Sequence, residues 1–72
     1  MSITAVNVRN QFRGTVIEVI EGPVVSEVDV RLPSGQLITS VITTRSVKDL
    51  GLAPGREVVA LVKSTEVSIA TL

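Results

Sequence analysis

The chain has 72 residues, seven basic and seven acidic side chains, and no Cys, His, Trp or Tyr. That length allows one small domain, 1–72. The missing Cys and His remove disulfides, soft-ligand metal sites and the usual neutral-pH base and nucleophile. With zero net charge and one aromatic, Phe12, the chain has neither the clustered cations nor the stacking platform of a nucleic-acid binder.

Val, Ile and Thr dominate, and these residues suit a pleated, half-buried surface. The run from Phe12 to Ile20 predicts a first strand, with Val16 and Ile20 on one face and Ile17 and Val19 on the other. Both faces are largely apolar, which predicts a strand covered on both sides. Glu21-Gly22-Pro23 then punctuates. In the next strand Val28, Val30 and Leu32 alternate with Glu27, Asp29 and Arg31, so one face meets a core and the other water. Pro33-Ser34-Gly35 signals a tight turn, and a third strand from Gln36 to about Thr43 completes a hairpin.

Arg45 to Leu50 is the helical segment, with Thr44 as N-cap or Ser46 and Asp49 as an alternative capping start. Gly51 follows as the residue that ends it. After the turn Leu52-Ala53-Pro54-Gly55, strands Glu57–Lys63 and Glu66–Ala70 close the sequence. The fold class expected is all-β, a small five-stranded OB-like barrel with one short helical turn. A barrel of this length buries only about 60% of its unfolded surface. With 44% hydrophobic residues and a mean hydropathy of +0.48, the chain is expected to assemble as a homo-oligomer. It shows no secretory signal and no membrane-length apolar run, so the expected setting is cytoplasmic, without a membrane partner.

The carboxylates alternate with apolar residues or sit in turns, and no phosphate-loop or metal-protease motif is present. The reading is therefore a non-enzyme without a cationic metal site. What the chain does hold is hydrogen-bond donors: Arg9, Lys63, Asn7, Asn10, and hydroxyls at Thr43, Thr44, Ser46, Ser64 and Thr65. Donor-only cations with hydroxyls are what a tetrahedral oxyanion requires, since each of its oxygens accepts. The same residues also serve as caps and loop polar groups, and generic chemistry leaves both readings standing.

The order of these groups resembles the molybdenum-pterin-binding (Mop, or molbindin) family and the wider molybdate-associated TOBE domain, from about Val6 to Ile69. Asn7-Val8-Arg9-Asn10-Gln11-Phe12-Arg13-Gly14-Thr15-Val16 is similar to the family's Ser-Ala-Arg-Asn followed by Gly-Thr-Val. Gly22-Pro23-Val24 and Glu27-Val28 resemble its Gly-x-Val and Glu-Val pair. Ile42-Thr43-Thr44-Arg45-Ser46 resembles Ile-Thr-x-x-Ser, and Ala60-Leu61-Val62-Lys63-Ser64 resembles Ala-x-Val-Lys-Ala/Ser.

The resemblance implies a homohexamer, a trimer of dimers, that stores or buffers molybdate or tungstate between subunits. Carried over by position, Arg9 and Lys63 supply positive charge, while Thr43, Ser46 and Ser64 donate from hydroxyl or backbone groups. Asn7 stands where the family has Ser, and its amide keeps a donor but adds an acceptor. The resemblance also implies a second class of site near a threefold axis, to which backbone groups around Val24 and Val25 are expected to contribute. Asn10 is expected to bond loop backbone, and Arg13 to sit in solvent. Apart from Phe12, no aromatic is available to stack a pterin ring. Met1 and the motif set favour a free-standing protein over a fused regulatory fragment. The rival reading is an OB-type interaction or nucleic-acid module without oxyanion binding.

Overall fold

The structure is a computed structural model and describes residues 3–72. Its sheet has four antiparallel strands in the order β3-β2-β1-β4. β1 spans Asn10–Glu21, β2 Val25–Arg31, β3 Leu37–Thr43 and β4 Glu57–Val62. The helix α1, Thr44–Asp49, lies between β3 and β4 in the chain. The two edge strands face a common apolar cavity of about 320 Å³, lined by Ile38 and Ile42 on one side and Val58 and Val62 on the other. A sheet whose opposite edges line one space is curled, and the chain is all-β with one short helix.

β1 differs from its expected alternation because it carries a bulge. Val16 pairs with Val30 and Glu18 with Asp29, which leaves Ile17 as the extra residue. The inward phase slips by one there, so Val16 and Val19 both face the core while Ile20 is 53% exposed. Apolar residues on both faces of this strand therefore record a change of phase, not a cover on both sides. Gly14, just before the bulge, lets β1 approach β2 closely. A Cβ there would stand 2.6 Å from Val30 Cγ1 and 2.7 Å from the Arg31 carbonyl oxygen.

β2 and β3 form the expected hairpin, with Ser26, Val28 and Val30 buried on the inner face of β2. Leu32 lies just past β2 and closes the turn, accepting from the Gly35 N–H at 2.8 Å and donating to the Gln36 carbonyl at 2.8 Å. Val16, Val28, Val30 and Val47 make the buried core, with Val19, Ile42, Leu52 and Val58 packed around it.

The helix is capped one residue earlier than the favoured N-cap. Thr43 is the N-cap, its Oγ1 accepting from the Ser46 N–H at 3.1 Å. Thr44 is instead the first helical residue and is buried. Its Oγ1 donates to the Gly22 carbonyl at 2.8 Å and lies 2.7 Å from Ser26 Oγ. A second bond, from the Thr44 N–H to the Val24 carbonyl at 2.8 Å, joins the helix start to the β1–β2 turn. Gly51 ends the helix at φ +63°, with its N–H bonded to Lys48 at 3.1 Å and the Leu52 N–H to Val47 at 3.0 Å. That pair of bonds is a Schellman motif, and the left-handed residue it needs explains the glycine.

The expected strand Glu66–Ala70 is not part of this sheet. Ser64–Glu66 form a 3₁₀ turn instead, and residues 67–72 have no regular structure. The residue pattern suits a strand, but a strand exists only with a ladder partner, and no edge of the chain's own sheet pairs with this segment. Val67 and Ile69 are accordingly 47% and 86% exposed.

Candidate functional site

Antiparallel pairing of β1 with β4 sets the start of one beside the end of the other, and Asn10 opposite Val62 is the last rung. The segment before β1 and the segment after β4 therefore run side by side. Between them lies a cleft of about 250 Å³ lined by Asn7, Val8, Arg9, Lys63, Ser64 and Thr65. Four of the expected oxyanion residues, Asn7, Arg9, Lys63 and Ser64, meet here although more than fifty positions separate them in the chain.

Two cations, two hydroxyls and an amide line this cleft, and no carboxylate does. Two other clefts also hold a pair of cations but include an acid. Arg13 and Arg31 share theirs with Glu57, and Arg45 and Lys48 share theirs with Asp49. Those carboxylates offset the cations, while the charge at Arg9 and Lys63 stays open to an anion. Arg13 is exposed, as expected.

The other expected donors lie elsewhere. Thr43 lines the cleft of about 580 Å³ that also holds Val24, Arg45 and Lys48, at the far end of β1 from Arg9 and Lys63. At about 3.3 Å per residue, β1 runs roughly 35 Å between the two groups. Thr43 Oγ1 donates to Ser46 Oγ at 2.8 Å, which leaves the Ser46 hydroxyl proton free for another acceptor. One chain thus does not bring Thr43 and Ser46 to Arg9 and Lys63. Of the second expected site, Val24 lines the Thr43 cleft, whereas Val25 opens β2 opposite Thr43; both are exposed.

Asn10 bonds backbone, but across the sheet and not within its loop: its Nδ2 donates to the Val62 carbonyl at 3.0 Å. Gln11, which sequence reasoning passed over, donates from Nε2 to the Val8 carbonyl at 2.8 Å. Nothing in its type or spacing marked it, since a Gln at a strand start is usually a solvated residue. Val8, also missed, enters as a wall of the cleft by adjacency. Among the described residues, no three or more His, Cys, Asp or Glu side chains are grouped to hold a metal ion. No helix among them is long and apolar enough to cross a membrane.

A curled antiparallel sheet with one short helix and donor-lined clefts at its ends defines a small OB-like β-barrel module. Residues 7–69 match the TOBE domain model, and the chain belongs to that family. It is 44% identical over 69 residues to molybdenum-pterin-binding protein 3 of Clostridium pasteurianum, covering 96% of this chain and 97% of that protein. It is 52% identical over 62 residues to the molybdenum transport protein ModE of Azotobacter vinelandii, where the match covers 86% of this chain and only 23% of the relative. Among solved structures, a molybdate-binding protein from Sporomusa ovata superposes with a TM-score of 0.85 at 37% identity, covering 99% of this chain and all of that one.

Proposed function

We propose that this chain binds molybdate, in the cytoplasm and without catalysis, as a storage or buffering protein that also accepts tungstate. The observation that carries the reading is the cleft that pairs Arg9 with Lys63 and contains no carboxylate. A molybdate dianion presents only acceptors, and that cleft presents the donors it needs. A hydrogen bond to a charged group contributes about 1.5–3 kcal/mol, so two cations plus the Ser64, Thr65 and Asn7 donors suffice for a specific site. The names of the relatives, molybdenum-pterin-binding and molybdate-binding, support the same ligand class.

The proposal includes assembly. Thr43 and Ser46 reach an anion held by Arg9 and Lys63 only from a second copy, because β1 separates the two groups within one chain. Both β3 and β4 carry an unpaired edge, and Ile20, Val24, Val41 and Ile69 are each more than half exposed. Open edges and exposed apolar side chains are what an interface covers. A homohexamer with anions between subunits satisfies both needs, with Val24 and Val25 at a second class of site.

Native mass spectrometry with added molybdate, and with sulfate as control, tests the reading. The expected result is a hexamer gaining discrete molybdate mass steps and none with sulfate. A monomer or dimer gaining no mass, or equal uptake of sulfate, overturns it.

A further inference from the structure

We infer that Asn10 and Gln11 are positioning residues that fix how the two walls of the Arg9–Lys63 cleft leave the sheet, an inference that rests on the molybdate reading. Both walls lie outside the sheet, beyond the last rung of the β1–β4 ladder. The wall after β4 is held by the Ser64–Glu66 turn, where the Glu66 N–H donates to the Lys63 carbonyl at 2.9 Å, whereas the wall before β1 has no regular structure of its own. Two side-chain bonds act where these segments begin, one on Val62 in the last rung and one on Val8 in the wall before β1. The Asn10 amide reaches across to the Val62 carbonyl at 3.0 Å, and the Gln11 amide reaches back to the Val8 carbonyl at 2.8 Å.

Each carbonyl belongs to the residue immediately before a cation. A peptide unit is planar and trans, so the Val62 carbonyl and the Lys63 N–H point in opposite directions within one plane. The same holds for the Val8 carbonyl and the Arg9 N–H. Fixing the two carbonyls therefore fixes the direction of both N–H groups and the point from which each cationic side chain departs. Neither Asn10 nor Gln11 lines the cleft, so each acts on it through the backbone it holds. Their contribution is preorganisation: an anion that meets fixed walls does not have to order them.

The test is calorimetric titration of the assembled protein with sodium molybdate, for wild type, Asn10→Ala and Gln11→Met, beside a thermal scan of each without molybdate. Loss of the partly buried Asn10 bond is expected to weaken molybdate binding about tenfold, and loss of the exposed Gln11 bond about threefold, with anion stoichiometry unchanged. Met keeps the length of Gln at an exposed position, so this variant folds even where Asn10→Ala does not. Wild-type affinity in both variants, with only a shift in the thermal midpoint, overturns the inference while the molybdate reading stands. A wild-type protein that binds no molybdate takes down both.

Discussion

The buried hydroxyl pair that joins α1 to the β1–β2 turn yields a quantitative test of how the fold supports its far cleft. Thr44 is 8% exposed and Ser26 2%. Thr44 Oγ1 donates to the Gly22 carbonyl, so in the 2.7 Å contact between the two hydroxyls Ser26 is the donor. Thr44→Val preserves shape but leaves the Ser26 hydroxyl without an acceptor and the Gly22 carbonyl without that donor. A buried polar group left unsatisfied costs about 1–3 kcal/mol, and the Gly22 carbonyl, at a partly buried turn, regains some water. The expected loss is about 2–3 kcal/mol, read as a lower urea midpoint at fixed protein concentration, because the proposed assembly would make stability concentration-dependent. Thr44→Ser keeps the hydroxyl and is expected to lose less than about 1 kcal/mol. The double variant Ser26→Ala with Thr44→Val removes the orphaned Ser26 hydroxyl and is expected to cost less than the sum of the singles. A Thr44→Val midpoint within about 0.5 kcal/mol of wild type, or strict additivity in the cycle, would refute the reasoning.

Two further outcomes follow from the cleft and from the bulged strand. Arg9→Ala and Lys63→Ala are each expected to weaken molybdate binding at least tenfold in a calorimetric titration, from about 1.5–3 kcal/mol per charge-assisted donor, and unchanged affinity in both removes them from the site. Gly14→Ala forces a Cβ to 2.6 Å from Val30 Cγ1 and 2.7 Å from the Arg31 carbonyl oxygen, so β1 must shift from β2. Overpacking of this kind costs about 1–3 kcal/mol, and a urea midpoint equal to wild type would show that the strands separate without cost.

Much of the fold was legible because it follows from neighbours in the chain. The alternation over Glu27–Leu32 marks one wet and one dry face, Pro33-Ser34-Gly35 marks the turn of a hairpin, and Gly51 marks a helix end. Each of these rests on the φ, the hydrogen bonding or the polarity of a few adjacent residues. The misreadings fall where two distant segments compete for one position. In the run Val16–Ile20 the charged Glu18 interrupts the Val16–Ile20 face, but only the register against Val30 and Asp29 shows that Ile17 is the extra residue. Thr43 and Thr44 are equally good caps by type, and burial of Thr44 beside Ser26 and Gly22 assigned the role to Thr43.

The site divides in the same way. That the chain holds donor-only cations and hydroxyls, and that it lacks His and Cys, is a matter of residue types, determined by the sequence by itself. Its family is equally a matter of residue order. Which donors share a cleft was decided by the pairing of β1 with β4, which brings Arg9 to Lys63 and keeps Thr43 and Ser46 at the other end of a 12-residue strand. The unformed strand after Glu66 has the same cause: side-chain pattern makes a segment fit for a sheet, but only a partner edge supplies the hydrogen bonds that make it a strand.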